Sequence, residues 1–338
     1  MRLVDVVGHE AVTGRLRRVA AHDRPAAAYV FAGTPGLGKR TVADAFAMEL
    51  LCAAPTATGA CGTCAQCVRV AAGTHPDVLV VSRETDRRDI RTEQVRDLTR
   101  WFALRPLMAR RKVAILDDAE TLNEHGQNAL LKTLEEPPGA AVLLLVVARA
   151  SLLLPTVRSR CQQVRFDPLG DADLARLLER DGVPAAQIPL LVARSGGSPG
   201  RALALRDDGH AEQRARVLER LARLPEVSAA EVSSLAQTMA RGDVEPALEV
   251  VTSWYRDLLG LVAGADTPLR NPDVAEALRV AAARGSVRGV LHQLQAVCAT
   301  IEDIEGNANR ALALETMLLA LRRIERDPER VPAWTSIR

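Results

Sequence analysis

The chain has 338 residues, 48% of them hydrophobic and 25% charged, with a formal net charge of +2. Such a length implies two or three domains with a full core, and the near-neutral balance excludes a surface that is basic all over, so any DNA contact would need a local patch within a larger assembly. No apolar run reaches membrane-spanning length, the longest lying at residues 140–148, and residues 1–8 contain no apolar signal core. A cytoplasmic protein with no membrane partner is the expectation.

Residues 11–22 place Val12, Leu16, Val19 and Ala20 on one helical face, and Tyr29-Val30-Phe31-Ala32 reads as a buried strand. The strand leads into Gly33-Thr34-Pro35-Gly36-Leu37-Gly38-Lys39-Arg40-Thr41 and then an amphipathic helix. Strand, glycine-rich turn and helix make a phosphate-binding context. Glycines let backbone N–H groups converge on phosphate oxygens, the helix N-terminus adds positive potential, and the lysine reaches the terminal phosphates. Gly33, Gly36, Gly38, Lys39 and Thr41 are therefore candidate nucleotide-binding residues. Lys39 is one of three lysines in an arginine-rich chain, with Lys112 and Lys132, which argues against its presence being incidental. The next residue ordinarily carries a hydroxyl that ligates Mg²⁺, but here it is Arg40, with the hydroxyl displaced to Thr41.

Cys52, Cys61, Cys64 and Cys67 follow this helix with spacing C-x8-C-x2-C-x2-C. Two sulfurs from one tight turn reach a single ion, so the set reads as a structural tetrahedral Zn²⁺ site with no open position. Cys161 and Cys298 stand apart.

Val78-Leu79-Val80-Val81 is a second buried strand, and a helix over residues 92–102 follows, with Thr92 as its expected cap. A third strand, residues 112–116, ends in Asp117-Asp118, the arrangement that positions Mg²⁺ and an attacking water beside a phosphate loop. Asp117 fits the metal side, and Asp118 stands where a longer glutamate ordinarily orients water. A helix over residues 123–134 stops before Pro137-Pro138. Residues 141–147 are apolar throughout, as in a central parallel strand, and residues 163–166 form a last short strand. Strands alternating with helices predict a parallel α/β sheet. From Asp167 onward the pattern is helical, interrupted by Gly197-Ser198-Pro199-Gly200-Arg201.

Several ordered motifs resemble the clamp-loader branch of the AAA+ ATPases, namely the bacterial DNA polymerase III clamp-loader subunits. They are the cysteine insertion, Asp117-Asp118, the run from Asn128 to Pro138, Ser159-Arg160-Cys161, the 197–201 turn and, more weakly, residues 309–315. The resemblance implies a RecA-like AAA+ domain over residues 1–167 with its zinc module at 52–67, a helical lid at 168–208 and an all-α collar at 209–338. It also implies a ring whose ATP sites lie between subunits, with Arg160 reaching a neighbour's γ-phosphate as an arginine finger, and Arg201 near the chain's own nucleotide. Implied partners are the tau/gamma and delta subunits, the sliding clamp, and primed DNA within the assembled ring.

Arg40, Asp118 and the lack of a polar sensor near Ala148-Arg149 depart from the active pattern. The expectation is a stator with little or no ATP hydrolysis of its own and at most weak ATP/Mg²⁺ binding. Two alternatives are an active tau/gamma-like motor ATPase and a zinc-dependent nucleic-acid-binding protein. The second is weakened because the cysteine segment has only Arg69 nearby and no aromatic residue.

Overall fold

The computed structural model describes residues 1–84, 87, 89–207, 211–241, 244–306 and 308–327. Two compact units emerge: residues 1–184 with 197–203, and residues 185–196 with 204–338. The boundary expected between lid and collar, at 208/209, lies outside the described residues.

In the first unit the strands β1 (Ala28–Ala32), β2 (Val78–Val81), β3 (Lys112–Leu116), β4 (Ala141–Val147) and β5 (Gln162–Arg165) form one parallel sheet in the order β2-β3-β4-β1-β5. Helices α1 (Glu10–Ala21), α2 (Lys39–Leu51), α3 (Ala65–Ala71), α4 (Thr92–Ala103), α5 (Glu124–Glu135), α6 (Pro155–Arg158) and α7 (Asp171–Arg180) accompany it. Every residue of β3 and β4 is buried, which is why those segments are apolar without alternation. Side chains nevertheless alternate between the two faces. Val30, Ala114, Leu116, Leu143 and Leu145 join one core with Leu98 of α4 and Leu130 of α5, whereas Tyr29, Phe31, Val113, Ile115 and Leu144 join the other with Leu16 of α1 and Phe46 of α2. The parallel α/β sheet is as expected from the strand and helix pattern.

One helix start differs from expectation. Thr92 is the first helical residue of α4, and the cap is Arg91, whose backbone N–H donates to Gln94 Oε1 at 2.9 Å. Gln94, at the third helical position, closes the turn on the Arg91 N–H, while the Thr92 hydroxyl donates to Asn123 Oδ1 at 3.4 Å.

A buried acid organises the loop before β3. Asp77 accepts backbone N–H bonds from Leu107, Met108 and Ala109 at 2.7 to 2.8 Å. Burial pushes its pKa up, but these three donors outweigh burial and hold it below the ordinary value. The stabilisation is present above the unfolded carboxylate pKa and lost as pH falls through the folded one. Asp77→Ala is expected to cost about 3 kcal/mol, because three donors lose a charged acceptor, and urea unfolding at neutral pH measures it.

The second unit is helical among the described residues. It contains α8 (Ile188–Ser195), part of α9 (Pro199–Asp207), α10 (Ala211–Ala222), α11 (Ala229–Ala240), α12 (Glu245–Val262), α13 (Ala275–Ala282), α14 (Val287–Glu305) and α15 (Arg310–Arg326). Trp254 and Tyr255 of α12 are fully buried among Leu218, Val232, Val297, Leu318 and their neighbours. The Tyr255 hydroxyl donates to Glu325 Oε1 at 2.7 Å, and burial pushes the Glu325 carboxyl up to about 7. A raised acid pKa means that stability is full below the unfolded value of 4.5 and lost as pH rises through about 7. Glu325→Gln is accordingly expected to raise the thermal midpoint at about pH 8 and to have little effect at about pH 5, a difference read by calorimetry. Among the described residues, no helix is long and apolar enough to cross a membrane.

A candidate phosphate-binding cleft and a four-cysteine centre

The phosphate-loop candidates gather at the C-terminal end of β1. Gly38, with φ of 80°, precedes α2, and Lys39 begins it. Gly36 has φ of 77°, and a Cβ there would lie 2.5 Å from Ser198 Oγ, so both backbone and neighbour demand glycine. The 197–201 turn is docked on the loop. Gly200 N–H donates to Gly36 O at 2.9 Å, and Ser198 Oγ–H donates to Pro35 O at 3.1 Å. A Cβ on Gly200 would lie 2.9 Å from Gly36 Cα. Arg201 lies in the first turn of α9, its N–H donating to Ser198 Oγ at 3.3 Å.

Gly36, Gly38, Lys39, Arg40, Thr41, Asp117, Asp118, Glu120, Pro199, Gly200 and Leu203 line a common cleft of about 470 Å³. Gly33 lies at its root, where a Cβ would come within 2.5 Å of Phe166 O. Lys39 curls back onto the loop, its Nζ donating to Gly33 O at 2.5 Å and Thr34 O at 2.9 Å. Burial pushes the Lys39 pKa down, opposed by the charges of Glu120, Asp117 and Asp118. An arriving phosphate would replace the two carbonyls as acceptor, with α2's N-terminal potential behind it.

Both strand-end acids are engaged by arginines. Arg40 donates through Nε to both Asp44 oxygens at 3.1 Å and through Nη1 to Asp117 Oδ2 at 3.2 Å. Asp118, at φ of 55°, receives Arg83 Nη2 at 2.8 Å and Nε at 3.1 Å. Asp117 therefore faces a guanidinium where a metal-binding acid faces Mg²⁺. Thr41 is exposed and lines the cleft.

Two contributors escaped motif reasoning. His9 is in the left-handed region just before α1 and lines the same cleft, its Nε2 donating to Leu37 O at 3.0 Å and so bracing the loop. Nothing in its spacing betrays this. Glu120 accepts Ala148 N–H at 2.7 Å and so joins the ends of β3 and β4. Its signal was its place three residues after Asp117.

Arg160 is elsewhere on the first unit, exposed just after α6. Its Nη2 pairs with Glu135 Oε1 at 2.7 Å and its Nη1 donates to Thr156 O at 3.0 Å. Both Nη groups of the guanidinium are thus engaged, and the residue is exposed at the surface.

The four cysteine sulfurs all lie within 4.8 Å of one another. Cys52 and Cys61 Sγ atoms are 3.6 Å apart, and those of Cys61 and Cys67 are 3.9 Å apart. A tetrahedron with Zn–S bonds of about 2.3 Å has edges of about 3.8 Å, so the donor set fits a metal of that size. Backbone N–H groups of Cys61 and Cys64 approach Cys52 and Cys61 Sγ at 3.3 Å each. The N–H groups of Cys64 and Thr63 pull the Cys61 thiol down to about 6, while burial pushes Cys52 and Cys67 up. At Cys64 burial also pushes upward, but the N–H groups of Cys67 and Ala53 prevail and the pKa falls. Apolar support is thin, with Met48, Ala60 and Cys67 the buried members of the local cluster.

A glycine-rich loop between the first strand and α2, with acids at the end of β3, defines a P-loop nucleotide-fold protein. The chain belongs to the DNA polymerase III delta-subunit family: residues 8–170 match the model described as "DNA polymerase III, delta subunit", and residues 208–323 match its C-terminal counterpart. It is similar to the DNA polymerase III subunit delta' of Pseudomonas aeruginosa, 45% identical over 201 residues, or 58% of this chain and 61% of that relative. Similarity to the Bacillus subtilis subunit delta' is lower, 28% over 306 residues, but spans 88% of this chain and 92% of the relative. The subunit gamma/tau of Mycobacterium tuberculosis H37Rv is 34% identical over 209 residues, 60% of this chain and 36% of its own length.

Proposed function

We propose that the chain is the delta-prime stator of a bacterial clamp loader. In this reading it completes a neighbouring tau/gamma ATP site with Arg160 and contributes little or no hydrolysis itself. Residues 1–167 act as the AAA+ domain, 168–208 as lid and 209–338 as collar. The observation that carries the reading is the contrast between two guanidinium environments. Arg40 pairs with Asp117 at the chain's own magnesium position, while Arg160 lies outside that cleft, at the surface, with its guanidinium held by Glu135 and Thr156 O. Phosphoryl transfer is catalysed by positioning and charge, so a cleft whose acids face arginines is poorly equipped for it. A neighbour lacking only a finger would gain one, with γ-phosphate taking the place of Glu135 as the Arg160 partner.

The active motor reading is disfavoured by the same Arg40–Asp117 and Arg83–Asp118 pairs. Zn²⁺ is the metal that four thiolates of this spacing select, and in this role it supplies folding energy and no chemistry. The delta subunit, the sliding clamp and primed DNA complete the proposed assembly. The test is reconstitution with tau/gamma and delta subunits, followed by ATP turnover with clamp and primed DNA. Failure to enter the complex, or turnover insensitive to Arg160, overturns the reading.

A further inference from the structure

A P-loop magnesium site needs a hydroxyl on the residue after the lysine and a carboxylate available across from it. The residue after Lys39 here is Arg40, which has no hydroxyl, and the carboxylate across from it, Asp117, is already paired with that guanidinium. Arg40 bridges α2 and the end of β3, 3.2 Å from Asp117 and 3.1 Å from both oxygens of Asp44. Asp118 is held by Arg83 at 2.8 Å, and Glu120 accepts Ala148 N–H through Oε1, its buried Oε2 being a carboxylate oxygen of the cleft without a hydrogen-bond partner. A divalent ion with oxygen ligands at about 2.1 Å would have to displace one guanidinium from Asp117 and then sit beside its fixed positive charge. Mg²⁺ does not fit the residues present.

We propose that the cleft takes the polyphosphate of a nucleotide as the metal-free anion, with Arg40 as the fixed cation in place of a divalent ion. This rests on the cleft being a phosphate site. Lys39 and Arg40 enter it from consecutive positions at the start of α2, and both carry N–H donors suited to phosphate oxygens. Asp117 and Asp44 hold the Arg40 guanidinium at the mouth of the loop, so it needs no reorganisation across the cleft to meet a phosphate. Mg²⁺ in solution removes charge from the nucleotide before it arrives. Adding the metal therefore weakens binding here, the reverse of a working P-loop ATPase, and occupancy follows the uncomplexed nucleotide.

The experiment is calorimetric titration of the full zinc-loaded chain with ATP, with and without excess Mg²⁺. Buffers are freed of metal by a chelating resin, because soluble chelator would strip the cysteine centre. The wild type is expected to bind ATP more tightly without Mg²⁺. Arg40→Thr is expected to reverse the order, with Mg²⁺ tightening binding by about tenfold as the hydroxyl and Asp117 become available. Asp117→Asn serves if that variant fails to fold: it removes the carboxylate a divalent ion would need while Asp44 still holds Arg40, and is expected to leave the preference for metal-free ATP in place. Wild-type binding that Mg²⁺ strengthens tenfold, an Asp117→Asn variant that loses Mg²⁺-dependent binding, or no ATP binding in either condition each overturns the proposal. None of these outcomes bears on whether Arg160 serves a neighbour, which the turnover assay reads separately.

Discussion

Arg160→Ala, introduced into the reconstituted clamp loader, is expected to lower ATP turnover at the neighbouring site proposed to receive this arginine by about 10³-fold. The expectation follows from chemistry and position together. An arginine finger stabilises charge that develops only in the transition state, so its removal acts on the rate more than on ATP affinity. The Arg160 guanidinium already stands exposed, with Glu135 and Thr156 holding it in place. Arg160→Lys keeps the charge but loses the planar fork, and is expected to recover only a minor part of the rate. Lys39→Ala removes the cation of the chain's own cleft and is expected to lower turnover far less. Single-turnover measurements with the neighbouring site loaded separate the rate effect from nucleotide affinity. A larger loss from Lys39→Ala than from Arg160→Ala would make this chain a working ATPase.

Removal of the metal from the cysteine centre is expected to unfold residues 52–67 locally while leaving the parallel sheet intact. Isolated zinc modules derive about 10 to 16 kcal/mol of folding free energy from the ion, and this segment has little else to hold it. Its buried apolar members are few, and its chain reversals depend on the sulfurs meeting at one point. Chelation, or Cys64→Ser, is expected to release one metal ion per chain and to abolish hydrogen-exchange protection across the segment. Protection in β3 and β4 should persist, since the sheet has its own cores on both faces. Metal analysis with exchange mass spectrometry checks both halves. Retention of order in 52–67 without metal would show that packing alone suffices. Metal loss is also expected to be promoted as pH falls, because protons compete with the ion for thiolates.

These expectations depend on contributions that differ in how far they were legible beforehand. The sheet was readable because β3 and β4 are apolar without interruption and because each strand is followed by helical periodicity. The phosphate loop and the cysteine set were readable because their chemistry lies in residues close together in the chain, where spacing alone constrains geometry. The start of α4 differs by one residue from the expectation, since Gln94 closes the turn on Arg91 while the Thr92 hydroxyl reaches Asn123, a contact that only the fold creates.

What sequence by itself determined was thus the local chemistry: a glycine-rich loop with Lys39, four cysteines at metal spacing, two acids ending a strand, and an arginine in place of a hydroxyl. Tertiary structure decided which charges meet. Arg40 reaches Asp117 across 77 residues and Arg83 reaches Asp118 across 35, pairings that exist only because α2 and the ends of β2 and β3 converge. The same convergence seats Gly200 on Gly36, His9 on Leu37 and Asp77 beneath the 107–109 backbone. Spacing along the chain carries no information about such contacts, because the parallel sheet brings distant strand ends to a common edge. Coulombic and hydrogen-bond energies depend on separation in space, so the character of the cleft is settled there.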